Sequence, residues 1–166
     1  MLHRGVFLCF LLGMLIILPL VLLAPQPVLA ATDSYVNRYL QAREPVAMEL
    51  DAEGNTRLFS PQDFSVGKVL FQNNCLNCHV GGATLPDPMI SLSLADLKGA
   101  TPPRSNINSL VSYLREPMTY DGSEDTFWCR QVPESWMPQT EIENLAAFVL
   151  RAAQKAPGWG VDNFES

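Results

Sequence analysis

Phe71-Gln-Asn-Asn-Cys75-Leu-Asn-Cys78-His79-Val80 sets two thiols three residues apart with an imidazole immediately behind them. The pattern reads as covalent haem attachment. Cys75 and Cys78 would each add across a haem vinyl group to give thioethers, and His79, carried close under the porphyrin, would reach the iron. Two other chemistries use a Cys-x-x-Cys pair: a thioredoxin-like redox site and half of a tetrahedral zinc site. Zinc would need a second ligand pair, and beyond His79 only Cys129 follows. A thioredoxin-like site would need alternating strands and helices, which the chain does not show.

The segment ahead of the thiols has the marks of a helix. Ser60 can cap free amides and Pro61 is tolerated in a first turn, so the spacing predicts a helix from there to about Asn74. Gly67, Phe71 and Cys75 recur every four residues and share one face. The glycine permits a close helix crossing, the aromatic fills it, and the cysteine ends the helix at the haem edge. Further upstream, Val46 to Phe59 alternates around Asp51-Ala-Glu-Gly-Asn55, which predicts a small β-hairpin. Residues 31–45 read as an irregular or short helical lead-in.

Downstream of His79, the run Gly81-Gly82-Ala83-Thr84 followed by Pro86 and Pro88 predicts a flexible loop along a haem edge. A short helix over Ser91 to Leu97 would end at Gly99, and Thr101-Pro-Pro-Arg104 would form a stiff corner. Ser105 is then placed to cap a helix from Asn106 to about Glu116, with Ile107, Leu110, Val111 and Leu114 inward, and Pro117 stops it. Met118 to Pro138 reads as irregular. Thr140 with Glu143 has the form of a capping box for a last helix running to about Gln154, whose Ala146 and Ala147 would let it cross the first helix near Gly67. The tail Gly158-Trp-Gly-Val161 is too glycine-rich for structure of its own.

The first thirty residues read as a signal peptide: Arg4 supplies positive charge, Val6 to Ala24 is almost wholly apolar, and Val28-Leu29-Ala30 offers small residues for cleavage. The alternative is a retained membrane anchor, because the run approaches the roughly twenty residues that span a bilayer. Pro19 and the cleavage-like end favour removal, leaving residues 31–166 as a single domain, enough to enclose one haem, that does not span a membrane. Losing Arg4 takes the formal charge from −6 to −7. Such an acidic chain suits a basic protein surface, such as a redox partner's, and not nucleic acid. Cys9 and His3 go with the segment, so Cys129 is left unpaired in a compartment that favours disulfides. No Ser/His/Asp constellation, phosphate loop or catalytic carboxylate pair stands out, which argues against hydrolysis and phosphoryl transfer.

A glycine and an aromatic four apart before the haem thiols, with a C-terminal helix closing the chain, resembles a class I cytochrome c: a mainly α fold around one haem. Phe71 to Gly82, Ala100-Thr-Pro-Pro-Arg-Ser-Asn-Ile107 and Pro117-Met-Thr-Tyr-Asp-Gly122 are similar to the extrinsic low-potential cytochrome of photosystem II, the cytochrome c-550 family. The likeness covers about Val46 to Leu150. It implies one haem c held by Cys75 and Cys78, His79 as proximal ligand, and a place in the cyanobacterial thylakoid lumen, peripheral to photosystem II. The family's second axial histidine does not carry over, because no histidine follows His79. Cys129 falls almost where that residue would lie, so the chain reads as a divergent paralogue.

Cys129, Met137, Met118 and Met89 compete with an open site for the sixth iron position. Cys129 leads, being unpaired and central in the long irregular segment, and Met137 follows. Methionine is commonly a gap filler. A thioether raises the potential, whereas an anionic thiolate stabilises ferric iron and lowers it. The expected role is electron transfer or stabilisation of photosystem II, without enzymatic activity. The alternatives are a soluble carrier unrelated to photosystem II and a haem sensor or enzyme with a labile sulfur ligand.

Overall fold

The structure is a computed structural model that describes residues 33–85 and 89–161. The signal-peptide reading of residues 1–30, with Cys9 and His3, lies outside the described residues, as do Pro86 and Pro88. Asp33 opens α1 (Ser34–Arg38) by accepting the Tyr35 amide at 2.7 Å. Strands β1 (Val46–Glu49) and β2 (Thr56–Phe59) pair antiparallel, Val46 opposite Phe59 and Glu49 opposite Thr56. The Asp51 carboxylate holds their turn by accepting from the Asn55 amide and side chain. The predicted hairpin is therefore present.

Helix α2 (Pro61–Asn74) carries the caps its sequence promised. Ser60 Oγ accepts the Asp63 amide while Asp63 accepts the Ser60 amide at 2.7 Å, and Pro61 occupies the first turn. Its Gly67 face crosses α5 (Gln139–Lys155), and this is the main packing of the fold. A Cβ on Gly67 would lie 2.0 Å from the Asn144 carbonyl oxygen and 2.8 Å from the Phe148 Cβ. The crossing forecast at Gly67 is thus real, with Asn144 and Phe148 at the contact and Ala146 and Ala147 buried beside it. Phe59, Phe64, Ile107, Ile142, Leu145 and Leu150 fill one continuous core within residues 33–161.

Three local expectations shift. Helix α3 is Leu94–Gly99, capped by Ser93, and so begins later than Ser91. Helix α4 (Ile107–Arg115) is capped by Asn106 in a box with Ser109, not by Ser105. Helix α5 starts at Gln139 behind Pro138, with no side-chain cap, so the Thr140–Glu143 box does not form. Glu143 instead accepts from Gln139 at 2.9 Å and pairs with Arg57 at 2.6 Å.

The glycine-rich tail forms no helix or strand, as read, yet it is docked. Trp159 packs on Phe71 and Phe148 and donates its indole N–H to the Leu92 carbonyl at 2.9 Å. The Gly160 amide donates to the Gly81 carbonyl at 2.8 Å. An aromatic buried by neighbours needs no secondary structure of its own to be fixed.

Candidate haem site

Helix α2 ends on Cys75, whose amide donates to the Phe71 carbonyl at 2.8 Å. The Cys78 and His79 amides then both return to the Cys75 carbonyl, at 3.1 and 2.9 Å. This turn holds two thiols and the imidazole together on one short arc. The loop that follows begins with a regular turn. Val80–Gly82 forms a 3-10 turn, with Gly81 at φ 58° and Gly82 at φ 83°, a region glycine enters without penalty. A Cβ on Gly82 would also strike the Trp159 ring.

The ring of His79 has a defined hydrogen-bond partner. Thr84 Oγ1 lies 3.0 Å from His79 Nδ1 and also donates to the Ile90 carbonyl. A hydroxyl has one proton, and a carbonyl can only accept, so the threonine proton goes to Ile90 and Nδ1–H must donate to Thr84. That leaves Nε2 with a free lone pair. Burial also lowers the His79 pKa, favouring the neutral ring that a metal requires.

The irregular segment 118–138 is built from specific hydrogen bonds. Arg104, almost fully buried, donates from Nη2 to the Met118 and Thr119 carbonyls at 3.2 and 2.7 Å and stacks 3.8 Å over the Tyr113 ring. Arg115 donates from Nη1 to the Val132 and Met137 carbonyls at 2.7 and 2.9 Å. These anchors fix the segment that carries Cys129, whose thiol is free and lies 3.9 Å from the Arg130 carbonyl, near enough to the signature thiols to oppose ionisation of Cys75. The Cys75 thiol is pushed up to about 12 by burial first and then by the Cys129 and Cys78 sulfurs. Burial likewise raises Cys129, opposed by the Tyr113 hydroxyl and the Arg104 charge. Tyr113 itself is pushed up by burial and by Cys129.

Met137, by contrast, is 2% exposed and packs within the core, Met118 is half-buried, and Met89 stands out toward solvent. Among the described residues, no group of three or more His, Cys, Asp or Glu side chains is placed to hold a metal ion directly. The donor set is one imidazole with a free Nε2, two thiols on its own turn and the free thiol of Cys129. Leu76, Val80 and Leu85 after the signature thiols and Phe127 and Trp128 before Cys129 all expose apolar surface. An iron that brings four equatorial ligands in a flat apolar ring fits this set, whereas a bare ion does not.

A profile of the cytochrome c-550 domain matches residues 38–166. This chain belongs to the cytochrome c-550 family. It is 56% identical over 163 residues to the cytochrome c-550-like protein of Trichodesmium erythraeum (strain IMS101), covering 98% of this chain and 99% of that one. It is also 56% identical, over 137 residues, to photosystem II extrinsic protein V of Gloeobacter violaceus (strain ATCC 29082 / PCC 7421), covering 82% and 74%. In three dimensions it resembles the PsbV2 cytochrome of Thermosynechococcus elongatus, with TM-score 0.78, 53% identity, and coverage of 79% of this chain and all of that one. The fold is accordingly the mainly helical cytochrome c type with a two-stranded sheet, and family membership implies haem c.

Three residues that bear on the site escaped the sequence reading. Arg104 was visible only as part of a family-like motif, Tyr113 only as one position of a helix, and Thr84 only as part of a loop. An arginine between proline-rich and capping segments, with no acidic residue near it in sequence, was the available signal for burial against backbone carbonyls.

Proposed function

We propose that this chain is a lumenal, low-potential c-type cytochrome bound peripherally to photosystem II, as an electron-transfer or stabilising extrinsic subunit. Residues 1–30 are its signal peptide, and residues 31–166 are its single cytochrome domain. Cys75 and Cys78 would hold one haem through thioethers, each S–H adding across a vinyl double bond with no oxidant or reductant needed. His79 and Cys129 are the side chains that would hold the iron. When bound, the haem supplies an iron that exchanges one electron between its ferric and ferrous forms.

The observation that carries this reading is the free thiol of Cys129, near enough to Tyr113, Arg104 and the Cys75–Cys78 turn, more than fifty residues away in sequence, for them to act on its ionisation and it on theirs. A thiol ligand must lose its proton. Burial opposes that loss, while the Tyr113 hydroxyl and the Arg104 cation favour the thiolate. Met137 lacks this freedom, since its side chain is core and its carbonyl is tied to Arg115. An anionic sulfur on the iron lowers the potential. The photosystem II assignment draws its support from relatives that carry the name photosystem II extrinsic protein V. Among the described residues, no helix is long and apolar enough to cross a membrane.

The deciding experiment is spectroscopy of oxidised Cys129→Ser and Met137→Leu proteins. Cys129→Ser is expected to convert low-spin iron to a high-spin or water-ligated form with a raised potential, and Met137→Leu to leave the spectrum nearly unchanged. The reverse result would make Met137 the ligand. If neither variant matters, the site is open and a sensor or enzyme role follows. Copurification with washed photosystem II cores and release by salt is expected, whereas absence from the cores would favour a soluble carrier.

A further inference from the structure

We propose that Thr84 is a positioning residue for the iron: its hydroxyl accepts a hydrogen bond from the His79 Nδ1–H and donates its own to the Ile90 carbonyl, fixing the ring and holding the potential down. The proposal rests on the reading of His79 as an iron ligand. The two hydrogen bonds meet at one oxygen, with Nδ1 at 3.0 Å and the Ile90 carbonyl on the other side. The threonine is held from both ends. The Ala83 amide donates to the Val80 carbonyl at 3.0 Å, and the Leu85 amide to the Cys78 carbonyl at 2.9 Å. Thr84 is thereby tied back to the signature turn itself.

The direction of the effect follows from proton positions. A hydroxyl already donating to a carbonyl is polarised and accepts more strongly. Drawing on the Nδ1 proton gives the ring more imidazolate character and makes Nε2 a better donor, which stabilises ferric iron more than ferrous. Removing the acceptor reverses this. The bond also selects the tautomer in which Nε2 is free, so ring and iron need no rearrangement on electron transfer.

The test compares Thr84→Val, which keeps the side chain's shape, with Thr84→Ser, which keeps its hydroxyl, in haem-loaded protein. Thr84→Val is expected to shift the redox equilibrium about tenfold toward ferrous iron, or about 59 mV for one electron, and Thr84→Ser to restore most of it. An unchanged potential in Thr84→Val, or equal shifts in both variants, would overturn the proposal. A second measurement needs no variant: NMR of the reduced protein should show an exchange-protected His79 Nδ1 proton close to the Thr84 Hβ, and its absence would also overturn it. His79→Ala separates the two levels of inference. If His79→Ala leaves the haem spectrum unchanged, the ligand assignment fails and the Thr84 relay with it. If His79→Ala alters the spectrum and Thr84→Val leaves the potential where it was, the relay alone fails.

Discussion

Gly67 has no room for even a methyl group, because the α5 backbone at Asn144 occupies the place where its Cβ would go. Two effects oppose each other in Gly67→Ala. Alanine gains about 1 kcal/mol of helix propensity, while overlap with backbone forces the helices apart at about 1–3 kcal/mol or more. Since a carbonyl oxygen cannot rotate away as a side chain can, the second effect wins. Gly67→Ala is expected to lose about 2 kcal/mol of stability in denaturant titration, and a gain would show that the helices do not approach so closely. The residue was legible beforehand, because a glycine at helical spacing from Phe71 and Cys75 marks a crossing. Its contact at Asn144 was not, since an asparagine in a helix gives no sign that its backbone meets another helix.

At the scale of elements, the caps decide where helices begin. Asn106 accepts the Ser109 amide at 2.9 Å, so Asn106→Ala should destabilise the protein by about 1 kcal/mol. Thr140 sits inside α5 without capping it, and Thr140→Ala should change stability by less than about 0.5 kcal/mol. Thermal unfolding of the two variants checks the pair, and a reversed order would mean that α5 is capped by Thr140 after all. The Ser60–Asp63 cap was readable because Pro61 marked the first turn. The Thr140–Glu143 pattern misled for a physical reason: Pro138, at φ −57°, already presents the chain for a helix starting at Gln139, and Glu143 is drawn to Arg57 on the hairpin.

Across the whole molecule, the tail and the acidic charge set the limits of stability. Trp159 joins Phe71 of α2 to Phe148 of α5 and hydrogen-bonds the segment before α3. Trp159→Ala should cost about 3 kcal/mol in denaturant titration, and a negligible loss would mean that the tail is dispensable. Low pH acts on carboxylates. The Thr119 and Ser123 hydroxyls and the Ser123 amide hold Asp121 down to about 2, and Asp33 is also lowered, burial being outweighed by Lys68 and the amides of Tyr35 and Val36. Both folded values lie below the ordinary 3.8, so their contribution is full above that pH and is lost as pH falls toward 2. Acid titration should show stability declining through that window, and Asp33→Asn should shrink the decline. By itself the sequence determined the haem signature, the hairpin, the capped α2 with its glycine crossing, and the lone cysteine, because each is written in local spacing and residue type. Only the tertiary structure decided that Cys129 comes near Tyr113 and Arg104, that Met137 is core, that Thr84 holds His79, and that the glycine-rich tail is docked by its tryptophan. Those depend on which distant segments the helix crossing and the buried Arg104 and Arg115 bring together, and no local pattern encodes that.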